Sequence, residues 1–146
     1  MRRTTKRGQT YDVFVVPGGA GLDTAGMAWL SGAGDTHHVN VFADPRTPYG
    51  MFILLHEVAH HELGHTRYVT SRPHWLEEYQ ASRHALDRLD RKYDEVAVFP
   101  IRETVRERTR RLVQPFLDCG IYQHGEIDAA VWAGADIPVD VALGDW

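Results

Sequence analysis

The stretch "MFILLHEVAHHELGH", residues 51–65, decides how the rest of the chain is read. It contains His-Glu-x-x-His twice, as His56-Glu57-Val58-Ala59-His60 and again as His61-Glu62-Leu63-Gly64-His65. Residues four apart on a helix lie about 40° from each other around its axis, so either copy would set two imidazoles on one face. Periodicity cannot choose between the copies, but their surroundings differ. His56 follows the apolar run Met51 to Leu55, which predicts a helix buried on all sides, and it stands over Phe52 and Ile53. His61 stands over Glu57 and Val58. The second copy also contains Gly64, the residue type most favoured just past a helix C-terminus, so the helix is expected to end within it and His65 to leave the face of His61. His56 and His60 are therefore the candidate metal ligands. His61 and His65 are expected as surface or helix-end residues, where histidine suits the helix dipole.

Upstream of this helix the residues change character. "YDVFVV" is rich in β-branched and aromatic side chains and stops at "PGGAG", which reads as a strand followed by a turn. "GMAWLSG" and "DTHHVNVFA" read as an antiparallel hairpin, and "DPRTPYG" (44–50) closes a small antiparallel sheet before the helix begins. Downstream, helices are predicted from about Trp75 to Lys92 and from about Pro100 to Asp118, with Pro115 a possible kink and "GEIDAAVWAG" a last short helix. The expected class is α+β, sheet first and helices after.

The 146 residues suit a single domain with a sizeable core, preceded by a basic N-terminal extension at 1–10 and closed by an acidic segment at 120–146. The lone Cys119 excludes an intramolecular disulfide and fits a reducing compartment, with the cytoplasm as default. The apolar stretch after Arg2, Arg3, Lys6 and Arg7 is broken by Asp12, Pro17, Gly18 and Gly19, a poor signal sequence, and no run approaches the roughly 18 apolar residues of a membrane span. Beyond Arg111 there is no Lys or Arg, whereas Arg102, Arg106, Arg108, Arg110 and Arg111 crowd the segment before. The acidic segment is expected to pack on that helix or be solvated, with a docking role for a partner as the alternative. Glu103 and Glu107 interrupt the arginines and no aromatic platform accompanies them, so direct nucleic-acid binding is not expected.

A catalytic zinc takes three protein ligands and keeps a fourth position open. Leu63 and Thr66 occupy the positions where a metzincin would carry glycine and histidine, and Cys119 is downstream and remote, so the third ligand is sought on the following helix. There Glu78 shares a face with Ala81, Ser82, Ala85 and Leu89, while Glu77 shares one with Gln80, Ala81, His84 and Arg88. A carboxylate on the drier face needs a cation, which favours Glu78. Glu77 is the fallback, expected otherwise as a solvated carboxylate near Arg88 or His84; His65, His84 and Asp87 are further alternatives.

Together, "GMAWLSGAGDTHHVNVFADPRTPYGMFILLHEVAHHELGH" and "WLEEYQASRHALDRL" resemble the ImmA/IrrE family of intracellular metallopeptidases, over roughly residues 25 to 90. The resemblance implies a zincin-like metallopeptidase core with one zinc ion on His56, His60 and Glu78 and with Glu57 as catalytic base. It implies a protein or peptide substrate, such as a repressor, antitoxin or other DNA-binding regulator of a phage, mobile element or stress response. The chain departs from the family pattern at Gln80, where a second acid is common, and at Ser82, where Asp is usual.

In such a site Glu57 would move the proton of the attacking water, and Tyr68, Tyr79, His74 and His84 are the candidate donors to the developing oxyanion. The strand "HHVNVFA" could line the cleft and pair with an extended substrate. His37 and His38, adjacent on a strand, face opposite ways. The same ligands accept manganese, iron or cobalt as well as zinc. The competing expectation is a catalytically weak or inactive metal-binding domain that acts through protein–protein contacts.

Overall fold

The computed structural model describes residues 2–4, 10–15, 26–31, 36–66, 73–122 and 125–137. Four strands, β1 (Arg2–Thr4), β2 (Thr10–Val15), β3 (Gly26–Ser31) and β4 (Thr36–Val41), precede four helices, α1 (Pro48–Glu62), α2 (His74–Asp90), α3 (Glu95–Asp118) and α4 (Glu126–Ala133). The fold is α+β, as the alternation of residue patterns requires. Among the described residues no helix is long and apolar enough to cross a membrane.

The sheet corrects two expectations. Its order is β1-β2-β4-β3, and it is mixed: β3 and β4 form the antiparallel hairpin, but β2 pairs with β4 in parallel, Val13 opposite Val39. Residue runs identify strands by composition, whereas pairing depends on which inner faces bury together. Here Tyr11 and Val13 of β2 and His37, Val39 and Val41 of β4 form one buried face. The second correction is β1, which pairs antiparallel with β2 inside the stretch expected as a basic extension.

Helix α1 lies on that buried face. Thr47 caps it, its Oγ1 accepting from the Gly50 amide at 3.0 Å, and Pro48 follows in the first turn, where its missing N–H costs nothing. Residues from Phe52 to Ala59 are all buried, as the unbroken apolar run predicts, because α1 is covered by the sheet on one side and by α2 and α3 on the other. The core joins Tyr11, Val13, Val39 and Val41 to Phe52, Leu54 and Leu86.

Helix α3 starts at Glu95 and not near Pro100. Asp94 is its N-cap, accepting from the Ala97 amide at 3.0 Å, and that cap holds the first turns ahead of the proline. The expected short helix is α4, and together with α2 and α3 it buries Trp75, Val113, Leu117, Ala129 and Ala130 in a second cluster. Three arginines of α3 are consumed locally. Arg106 Nε donates to the Trp132 carbonyl at 2.9 Å and Arg110 to that of Ala133 at 3.3 Å, serving the open C-terminal end of α4. Arg102 binds Asp90 and Glu95. The rest of the acidic segment, residues 138–146, lies outside the described residues.

Candidate metal centre

The two copies of His-Glu-x-x-His have different uses. His56 and His60 point across to α2, where Glu78 meets them: Nε2 of His56 lies 3.1 Å from Glu78 Oε2, and Nε2 of His60 lies 3.3 Å from Glu78 Oε1. The two Nε2 atoms are 3.1 Å apart. Three ligands about 2.0–2.1 Å from one ion in a tetrahedral arrangement would be separated by roughly 3.3 Å, so the spacing fits a metal at their centre. Three electron-pair donors this close repel one another unless a cation or shared protons lie among them. His56, His60 and Glu78 therefore form a group that can hold a metal ion, and His60, His65 and Glu77 form a second such group among the described residues.

Without a metal, Glu78 is held well below the usual carboxylate range: burial pushes it upward, but hydrogen bonds from His56 and His60 outweigh burial and keep it ionised, and a bound ion would take the place of those protons. Burial lowers the pKa of His56 against the pull of Glu78, whereas at His60 burial is outweighed by Glu78, Glu57 and Glu77 and the pKa is raised, so a metal would have to displace a proton from His60. Glu57 is buried beside them, and desolvation raises its pKa to about 7, with His60 opposing and Glu78 adding to the shift. A carboxylate that titrates near neutrality is poised to accept and return a proton.

The centre opens into a cleft of about 600 Å³. Its walls include Gly26, Met27 and Ala28 of β3 and Thr104, Arg108 and Leu112 of α3. The cleft strand is thus β3 and not "HHVNVFA", because β4 is central in the sheet and β3 is the outer strand. His37 and His38 do face opposite ways. His37 packs under Tyr11 and His61, while His38 stacks on Trp29 with ring centroids 5.0 Å apart.

The second copy departs from expectation. The helix ends within it as predicted, yet His61 and His65 are both buried. His61 turns to the sheet, donating from Nε2 to the His38 carbonyl at 2.8 Å while Nδ1 accepts from the Thr66 hydroxyl at 2.7 Å, and burial lowers its pKa to about 4. His65 follows Gly64, which has φ +78°; the amides of Gly64 and His65 return to the carbonyls of His61 and His60, a Schellman turn. That turn folds His65 back under His60, with Nδ1 to Nδ1 at 2.9 Å. Glu62 accepts from His84 at 2.8 Å and Arg88 at 3.3 Å, tying the end of α1 to α2. Those two partners are the ones expected near Glu77, which instead faces the cleft.

Among the oxyanion candidates, Tyr79 donates its hydroxyl to Asp128 at 2.7 Å and His84 binds Glu62, so neither is directed at the centre. His74 lines the cleft, 3.8 Å from Glu78 Oε1, and Tyr68 lies outside the described residues. Three further residues join the site that sequence patterns leave without a functional role. Arg108 reaches to 3.9 Å from Glu78, Ser82 binds His56 Nδ1 at 3.1 Å, and Gln80 binds His65 Nε2 at 3.0 Å. Ser82 lies one turn beyond Glu78 on the same helix face, the one available signal that both serve His56. Arg108, thirty positions further along the chain than Glu78, has none.

Comparison of the chain with protein-family models, with curated proteins and with solved structures finds no match in any of the three.

Proposed function

We propose that this protein is a zinc-dependent metallopeptidase that hydrolyses a peptide bond in a protein substrate, with His56, His60 and Glu78 as metal ligands and Glu57 as catalytic base. The observation that carries the reading is the mutual spacing of 3.1 to 3.3 Å between two imidazole nitrogens and a carboxylate from two helices, beside a buried acid at the wall of an open cleft. Nitrogen and carboxylate ligands in this number suit zinc. When bound in such a site, zinc lowers the pKa of water to about 7 and polarises the carbonyl under attack.

The chain's own groups supply the rest. Glu57 takes the proton of the attacking water and returns it to the departing amine, a role suited to a pKa raised to about 7. His74 and Arg108 line the cleft and can donate to the developing oxyanion. The outer strand β3 offers its edge to an extended peptide, whose backbone would continue the sheet past the centre. Resemblance to the ImmA/IrrE family supports the same assignment and suggests a transcriptional regulator or antitoxin as substrate in the cytoplasm.

The test is a Glu57→Gln comparison on zinc-loaded protein, with an unfolded protein such as casein as first substrate. The expected result is one zinc per chain in both proteins, cleavage by the wild type that a chelator stops, and turnover lowered roughly 10²- to 10⁴-fold in the variant. Equal cleavage by the two proteins, or a wild type that takes up no zinc, would sink the assignment.

A further inference from the structure

We propose that His65 and Gln80 form a hydrogen-bonded relay that holds the His60 ring in the tautomer able to ligate through Nε2, which makes His65 a positioning residue and not the ligand of a second ion. The inference rests on the zinc reading of the His56, His60 and Glu78 group.

The direction of the relay follows from donor chemistry. Gln80 presents its carbonyl oxygen to His65 Nε2 at 3.0 Å, and an amide oxygen can only accept, so the ring proton of His65 lies on Nε2. A neutral imidazole carries one ring proton, so Nδ1 of His65 is an acceptor. The atom facing it at 2.9 Å is Nδ1 of His60, which must then donate. The Nε2 lone pair of His60 is left directed at His56 Nε2 and Glu78 Oε1, the positions that define the metal group. Ser82 does the corresponding work for His56, its Oγ lying 3.1 Å from Nδ1. Outer partners of this kind fix ring orientation and raise ligand basicity.

The same two histidines also belong, with Glu77, to the second group that can hold a metal. With Nδ1 of His60 turned to His65, both groups cannot be served at once. His60 would have to offer lone pairs at both nitrogens and give up its remaining ring proton. The Nδ1 to Nδ1 separation of 2.9 Å is that of a hydrogen bond. The chain reaches this geometry through Gly64, whose left-handed backbone returns His65 beneath His60 while both are still tied to α1.

The experiment measures zinc stoichiometry and affinity on the full chain by chelator competition, and the ring protonation of His60 in metal-free protein by nitrogen NMR. His65→Ala and Gln80→Leu break the relay. His65→Asn, whose amide oxygen can stand in for Nδ1, and Gln80→Glu, a stronger acceptor, keep it. We expect one zinc per chain throughout, affinity lowered roughly 10- to 100-fold by His65→Ala and Gln80→Leu and largely recovered in the other two, and the His60 proton on Nδ1. Wild-type affinity in His65→Ala and Gln80→Leu overturns the relay alone, as does a His60 proton on Nε2. Two zinc ions in the wild type with one lost in His65→Ala shows a second metal site instead. A wild type that binds no zinc overturns the metal assignment and the relay together.

Discussion

At Gly26 a Cβ would lie 2.8 Å from Glu57 Cγ and 2.9 Å from both Glu57 Oε1 and Ile53 Cγ2, so the outer strand passes directly over the proposed base. Glycine is required there by space, since the strand and the carboxylate cannot both keep their positions beside a methyl group. Gly26→Ala is expected to turn the Glu57 carboxylate aside and lower peptidase turnover roughly 10- to 100-fold, the scale of a misplacement of about 1 Å. Zinc content should stay at one per chain because no ligand is touched; initial rates and metal analysis of the same sample check both halves. The histidines show how far residue identity alone can be read. His61 and His65 have the same side chain, three residues separate them, and both are buried. One holds a strand carbonyl and the other a candidate ligand, a difference set by the turn between them.

For helix α1 the two ends matter as much as the candidate ligands between them. A Cβ on Gly50 would come within 1.8 Å of the Asp44 carbonyl oxygen, backbone that cannot swing away. Gly50→Ala is therefore expected to destabilise by about 3 kcal/mol or more, visible as a lower urea midpoint with unchanged slope. At the other end Gly64 has φ +78°, and a methyl group added there would have nothing within 4 Å, so Gly64→Ala meets backbone strain alone. That strain should cost about 1–2 kcal/mol in the same titration, and any relaxation of the turn moves His65 away from His60 and weakens zinc binding. Helix α2 is legible in a different way. Its apolar positions announce a helix, and the spacing of Glu78 and Ser82 announces a shared face, but nothing local says that the face meets His56.

Across the whole molecule, an ion held by His56 and His60 of α1 and by Glu78 of α2 would cross-link two elements that the chain joins only through residues 63–73. A ligand bound by the folded state alone stabilises it by about 2.7 kcal/mol at a hundredfold excess over Kd. Adding zinc to that excess should raise the melting temperature of the stripped protein by roughly 5–10 °C. Glu57→Gln should keep the rise and Glu78→Ala should lose it, because one removes the base and the other a ligand. Calorimetry of the three proteins with and without chelator checks the pair of outcomes. Equal shifts in wild type and Glu78→Ala would place the ion elsewhere.

What the sequence by itself determined is what short-range geometry encodes. The four-residue spacing of His56 and His60, the apolar run before them and the punctuation around the elements are sufficient for the α1 helix, for the two candidate ligands it carries and for the α+β class. Burial preference on α2 was enough to favour Glu78 over Glu77. Tertiary structure alone decided that β2 lies parallel to β4, that β3 and not β4 borders the cleft, and that Gln80 and Ser82 meet His65 and His56. Each of these is a contact between segments distant in the chain, chosen by which faces bury together and which donors find acceptors, and no spacing along one segment can express that choice.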